Sequence, residues 1–171
     1  MNLRKQSAVT LVALVITVIL LLILASVGYY YGNDVIRQAN LESLKTDMLL
    51  IQAKAKEYVE EATFKMGINP DDVKKQEARQ EVYINTAKLK QLSQAISEDG
   101  LSVPSEITTN DNFYYVTRDA LKEMGLDKIE TGENNGEYLI EFDENNATAE
   151  IYNTKGRGGK YSLTEIDKIE E

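Results

Sequence analysis

The chain lacks the two side-chain types on which most nucleophilic and metal chemistry depends. Among its 171 residues there is no cysteine and no histidine. Their absence excludes disulfides, thiolate nucleophiles, Ser–His and Cys–His catalytic pairs, and cysteine or imidazole ligands for zinc, copper or haem iron. Paired carboxylates could still catalyse hydrolysis, but no spacing in the sequence marks such a pair. We therefore predict no catalytic, cofactor-binding or metal site, and a protein that is not an enzyme.

Three polar loops could bind a small ligand, but each falls short of a known motif. Residues 156–160 contain the glycines and lysine of a phosphate loop, yet Thr154 and Tyr161 stand where a Walker A motif needs Gly and Ser or Thr. The acidic loops 110–112 and 133–135 offer oxygen ligands for calcium without the spacing of an EF-hand. We interpret the first as a flexible turn and the other two as solvated turns. Calcium binding at the two acidic loops is the alternative interpretation.

The charge distribution argues against nucleic acid as a partner. The formal net charge is −9, and the only charges before Asp34 are Arg4 and Lys5. An acidic surface repels the phosphate backbone of nucleic acids and anionic membrane surfaces alike. The sequence therefore predicts an acidic, soluble body that follows an uncharged N-terminal segment.

This N-terminal segment, Ala8 to Gly28, carries no charge and is apolar apart from three hydroxyl residues. As a helix that rises about 1.5 Å per residue it would span roughly 30 Å, the thickness of the hydrocarbon core of a bilayer. The basic pair Arg4-Lys5 on one side predicts a cytoplasmic N-terminus and an extracytoplasmic body. The hydroxyls in the segment can bond back to the helix backbone: Thr10, Thr17 and Ser26. The side chains expected to contact lipid or neighbouring subunits include Leu14, Ile16, Leu20 and Leu24.

Three hypotheses account for this segment. A removable secretory signal has an apolar region of about 7–15 residues before a small-x-small site, and Ser26-Val27-Gly28 could be that site, but the apolar run is longer. A plain single-pass anchor would hold an extracellular binding or sensor module in the membrane. A filament subunit would use the segment to pack against its neighbours.

The residues around Ala8 resemble the leader of type IV pilins and pseudopilins. Arg4-Lys5 precede Ala8-Val9-Thr10-Leu11, and an unbroken apolar run follows at once. The resemblance implies cleavage between Ala8 and Val9 by a prepilin peptidase, methylation of Val9, and assembly with other pilin-like subunits by membrane machinery. The chain departs from the family at two positions: Ala8 replaces the usual Gly, and Ala13 replaces the Glu that pairs with a neighbouring subunit's terminal amine.

From Asp34 onward the sequence becomes amphipathic. Apolar residues recur at spacings of three and four, which predicts a helix whose apolar face packs on its own domain: Leu41, Leu44, Met48, Ile51, Ala55, Tyr58 and Ala62. A coiled coil with a partner is the alternative. Gly67 is expected to end this helix, and Asn69 to cap the next one, with Pro70 in its first turn.

The C-terminal half changes from helical to alternating periodicity. A short helix is expected around Leu89, Leu92 and Ile96 with Gly100 at its end, and Thr117 is expected to cap a helix from Arg118 to Met124. Alternation predicts strands at 113–116, 138–142 and 147–152, with an edge strand at 161–163.

Together these features predict an α+β fold in which a long N-terminal helix packs against a small antiparallel sheet, as in pilins. The expected regions are a basic leader (1–8), an apolar transmembrane or filament-core helix (9–31), its amphipathic continuation (32–67), a helical and loop connection (68–112) and a sheet region (113–171). The predicted function is a structural subunit of a membrane-assembled surface or secretion filament. The alternative is a membrane-anchored extracellular binding or sensor module.

Overall fold

The computed structural model describes residues 3–169, with the side chains of residues 13–24, 26 and 35–169. A long helix precedes short helices and a five-stranded antiparallel sheet, which confirms the predicted α+β class. The chain divides into two compact units, Met1–Glu42 and Ser43–Glu171. The first helix, α1 (Leu3–Met66), contributes residues to both.

The remaining elements all lie in the second unit. Helix α2 (Asp72–Arg79) continues into a π-helical segment (Gln80–Thr86). There follow β1 (Lys90–Gln91), α3 (Leu92–Asp99), β2 (Phe113–Tyr115), α4 (Arg118–Glu123), β3 (Tyr138–Asp143), β4 (Thr148–Arg157), β5 (Lys160–Ser162) and α5 (Leu163–Ile166).

The strands form a meander in which each pairs with its neighbours in sequence, in the order β1 to β5. The central hairpin joins β3 to β4, with Ile140 opposite Ile151 and Phe142 opposite Ala149. Strand β1 lies within the region predicted as a helical and loop connection, residues 68–112, and it separates Leu89 from the helix α3 in which Leu89 was expected. A two-residue edge strand shows no alternation in sequence, so only its pairing with Tyr114 and Tyr115 reveals it.

Local sequence signals explain most helix ends. Thr117 Oγ1 accepts the backbone N–H of Ala120 at 3.0 Å and so caps α4, as predicted. The predicted cap of α2 was wrong. Asp71 Oδ1, not Asn69, accepts the N–H of Lys74 at 2.9 Å, because a cap must immediately precede the first helical residue. Asn69 instead adopts a left-handed backbone conformation after Gly67.

Within the second unit, one face of α1 packs on the sheet. Met48, Ile51, Ala55 and Ala62 are fully buried, while Leu44 and Tyr58 are half-buried. Two polar contacts join the helix to the central hairpin. Gln52 Nε2 donates to the Ala149 carbonyl at 2.9 Å, and Asp47 accepts a hydrogen bond from the Tyr138 hydroxyl. In the first unit, Leu41 is also buried.

Candidate assembly surface

Residues 13–24 of α1 present an exposed helical surface that is almost entirely apolar. The large apolar side chains of this stretch are exposed by 48% to 68%, and they include the predicted contact residues Leu14, Ile16, Leu20 and Leu24. A contiguous apolar surface of this kind marks a site of contact with another protein or with lipid. The stretch is therefore the first candidate for an assembly surface.

The polar groups of this surface are satisfied within the helix. Thr17 Oγ1 donates to the carbonyl of Leu14 at 2.8 Å, and Ser26 Oγ donates to the carbonyl of Ile23 at 2.8 Å. Thr17 is the one hydroxyl between residues 13 and 24. Since each hydroxyl already has an acceptor, an apolar environment would leave neither hydroxyl donor unpaired.

The predicted processing site lies at the start of the same helix. Ala8, Val9, Thr10 and Leu11 fall within the span of α1, but their side chains lie outside the described residues. Ala13, at the position where the pilin pattern has Glu, is described and exposed. Among the residues that the structure describes, no helix combines the length and the apolarity needed to cross a membrane.

A second exposed apolar group lies where α1 ends, and the sequence pattern did not predict it. Phe64 is 87% exposed and Ile68 is 95% exposed, the highest values among the large apolar residues described. Val73, in the first turn of α2, is also exposed. The sequence nevertheless contained one indication of this exposure. Phe64 lies between Ala62 and Met66 of the buried helix face, so its side chain must point away from that face.

A charged and aromatic cluster fixes α2 and the π-helical segment to the β3–β4 turn. Glu144 accepts two hydrogen bonds from the Arg79 guanidinium, both at 2.7 Å, and one from the Tyr83 hydroxyl at 3.3 Å. Tyr83 stacks on Phe142 with 4.0 Å between ring centroids. Burial, and then the negative charge of Glu144, raises the pKa of the Tyr83 hydroxyl, which therefore remains a neutral donor. The polar groups of Arg79, Tyr83 and Glu144 bond to one another, so we interpret the cluster as a structural contact.

The acidic loop 110–112 takes part in the same framework, whereas loop 133–135 is joined to β4, where the carbonyl of Asn135 accepts from Asn153 Nδ2. Asn112 Oδ1 accepts from Arg79 at 3.2 Å, and Asn110 Nδ2 donates to Glu141 at 3.0 Å. In the described part of the chain, no group of three or more acidic side chains is placed to hold a metal ion. Residues 156–160 form the end of the β4–β5 hairpin, with Gly156 in a left-handed conformation.

No protein-family model, curated protein or solved structure matches this chain.

Proposed function

We propose that this chain is a pilin-like structural subunit that is cleaved between Ala8 and Val9 and assembles through α1 into a filament at the cell surface or in a secretion system. The observation that carries the proposal is the exposed apolar surface of residues 13–24. Its large side chains are about half exposed or more, and its one hydroxyl is bonded within the helix. Such a surface needs a cover of lipid or protein.

A filament of identical helices supplies that cover on every side. Because water is excluded from apolar surfaces without directional bonds, a helix that is apolar all round can pack against several neighbours at once. Heterologous contacts that repeat by a non-closing rotation produce an open helical assembly. Before assembly, the same surface would reside in the bilayer, with the basic pair Arg4-Lys5 on the cytoplasmic side.

The body is suited to remain outside this apolar core. The second unit has its own hydrophobic core between α1 and the sheet. The order of elements, a long N-terminal helix, a connection and an antiparallel sheet, is the layout that the leader resemblance leads us to expect of a pilin-like fold. The charge of −9 keeps the exposed body hydrated and disfavours its insertion into an anionic membrane.

The N-terminus of the mature protein tests the proposal. The chain should be expressed with a prepilin peptidase and its membrane fraction examined by intact mass and N-terminal sequencing. The expected product begins at Val9 and carries a methyl group. Ala8→Leu should block cleavage, whereas Ala25→Leu, a matched substitution farther along the helix, should not. A product that begins at Tyr29 would indicate a secretory signal, and an intact Met1 would indicate a plain anchor.

A further inference from the structure

Two depressions of similar size border α2, and they differ in whether their polar side chains are already paired. The first depression lies at the β3–β4 turn and has a volume of 720 Å³, and the second lies between α2 and α3 and has a volume of 740 Å³. In the first, four carboxylates accept hydrogen bonds from neighbouring protein groups: Glu141, Asp143, Glu144 and Glu150. The acidic groups of the first depression are therefore part of the framework of the fold.

One wall of the second depression is a single face of α2 and the π-helical segment. Four side chains of this wall follow one another at intervals of four residues, so they lie on the same side of the helix: Asp72, Gln76, Gln80 and Ile84. The last two belong to the π-helical segment. Such turns are rare and are found frequently at functional sites. This segment borders the second depression and contributes nothing to the lining of the first.

The opposite wall of the second depression comes from other parts of the chain. Gln91 lies on β1, Gln94 on α3 and Asp111 in the loop before β2. Tyr114 of β2 also lines the depression, with its ring buried. Gln91 is the partner of Tyr114 in the β1–β2 ladder, and its side chain donates a hydrogen bond to the Tyr114 hydroxyl. Because the hydroxyl oxygen accepts this bond, the hydroxyl proton can be donated to a ligand.

Most polar side chains of the second depression have no partner within the protein. In the part of the chain that the structure describes, five of them make no side-chain hydrogen bond or ion pair: Asp72, Lys75, Gln76, Gln94 and Asp111. All but Lys75 are exposed. Their donors and acceptors are therefore available to one ligand that occupies the depression.

The unpaired groups define the chemistry of that ligand. They carry two negative charges, on Asp72 and Asp111, and one positive charge, on Lys75, while the second cation of the lining, Arg79, is already paired. Because these charges nearly cancel, they offer little attraction to a phosphate or another strongly charged group. Among the described lining residues Ile84 is the one aliphatic side chain, so a ligand that depends on apolar pockets is disfavoured as well.

We propose that the second depression binds a neutral oligosaccharide. Carboxamides and saccharide hydroxyls each donate and accept hydrogen bonds, so the glutamines of the two walls can pair with hydroxyls on both sides of a sugar ring. The carboxylates and the ammonium add charge-assisted hydrogen bonds to further hydroxyls. The volume of 740 Å³ lies within the range of about 300–1,000 Å³ that is usual for ligand pockets. This binding goes beyond the filament function and does not depend on it, because every residue of the site lies in the second unit.

A binding screen of the full-length chain tests the proposal. The protein should be held in a detergent without a sugar headgroup, which would otherwise compete for the site. It should then be exposed to immobilised short oligomers of glucose, galactose, mannose and N-acetylglucosamine, and the Kd measured by titration with the free oligomer. We expect one neutral series to bind with a micromolar to millimolar Kd. A sulfated form of the same oligomer should bind more weakly, because Asp72 and Asp111 repel an anion.

Two single variants test the two walls separately. Gln76→Ala and Gln94→Ala each remove an exposed amide, so the melting temperature should stay unchanged. Each should weaken the affinity about 2- to 12-fold, the range expected for the loss of one hydrogen bond. Asn145→Ala is the matched control, because it removes an exposed amide from the first depression and should leave the affinity unchanged.

Several results would overturn the proposal. They are the failure of every neutral oligomer to bind at millimolar concentration, tighter binding of the sulfated form, and binding of an uncharged Gly-Ser peptide in place of any saccharide. Saccharide binding that resists both Gln76→Ala and Gln94→Ala would place the ligand elsewhere on the chain. None of these results bears on the filament function, which depends on the N-terminus of the mature protein.

Discussion

A β-carbon on Gly136 would lie 2.5 Å from the side-chain oxygen of Asn153, so these two residues fit together only because position 136 has no side chain. Asn153 is completely buried in β4. Its Oδ1 accepts the backbone N–H groups of Lys155 and Gly156, both at 3.0 Å, and its Nδ2 donates to the carbonyl of Asn135 at 3.0 Å. Through these bonds Asn153 holds the loop before β3 against β4.

Gly136→Ala should lower the free energy of unfolding by about 2–5 kcal/mol. The substitution combines a left-handed backbone, which costs an L-residue roughly 1–2 kcal/mol, with a clash of the kind that costs about 1–3 kcal/mol. Thermal unfolding of the detergent-solubilised chain, monitored by the near-ultraviolet circular dichroism of its tyrosines, would measure the change in unfolding free energy. Gly158→Ala is the matched control, because Gly158 is also left-handed but has nothing within 4 Å of its would-be β-carbon. Equal losses of unfolding free energy at positions 136 and 158 would show that the clash with Asn153 does not contribute.

The Arg79–Glu144 pair should be energetically coupled. Both hydrogen bonds are 2.7 Å long and both side chains are largely shielded from water, so Glu144→Gln should cost roughly 1–3 kcal/mol of unfolding free energy. A double-mutant cycle with Arg79→Met should give a coupling of about 0.5–3 kcal/mol. The cycle Lys54→Met with Glu57→Gln serves as the control, because that pair is exposed and should couple by less than about 1 kcal/mol. Similar values for the two cycles would refute the special role of Glu144.

Asp47 should make the protein less stable as the pH rises. Burial raises the pKa of the Asp47 carboxyl above its ordinary 3.8, and the hydrogen bond from Tyr138 opposes part of that rise. The folded state therefore binds this proton more tightly than the unfolded state, so the associated stability is present at low pH and is lost as the pH rises through the folded pKa.

Asp47→Asn should accordingly raise the melting temperature at pH 7, and the gain should disappear as the pH falls below about 3.8, the ordinary value. Asparagine keeps an acceptor for the Tyr138 hydroxyl without a charge to desolvate. Melting curves from pH 3 to pH 8 would check this, with Glu60→Gln as an exposed control on the same helix. A destabilised Asp47→Asn variant at neutral pH would mean that the ionised carboxylate is the better partner.

Assembly should depend on the residue at position 13. In most members of the resembled family a carboxylate at this position fixes the register between helices, because apolar packing alone has no directional bonds. In this chain the residue at position 13 is an exposed alanine. Under the proposed function, the chain expressed without other filament subunits should therefore stay in the membrane fraction and enter filaments only with a partner pilin that carries the acidic residue. Ala13→Glu should increase its incorporation, measured by quantitative immunoblotting of sheared filaments, whereas Ala13→Gln should not. Abundant filaments of the unmodified protein alone would contradict this account.

The sequence by itself determined features that depend on neighbours along the chain. Thr117 caps α4 because its hydroxyl meets the N–H three residues later, and the alternation from Tyr138 to Phe142 specifies a strand wherever that strand is placed. The period of the α1 stripe likewise marked the face that carries Met48, Ile51 and Ala55. Each is a local property, so composition and spacing were enough to predict it.

Only the tertiary structure decided which distant groups meet. Nothing in the spacing of Arg79 and Glu144, or of Gly136 and Asn153, signals their contact, because the sheet brings them together across the intervening chain. The same holds for β1, which is too short to show a period and exists through its pairing with β2. Exposure of Ile68 is equally a tertiary property, because this residue follows the end of α1 and no periodic pattern shows whether its side chain meets the core.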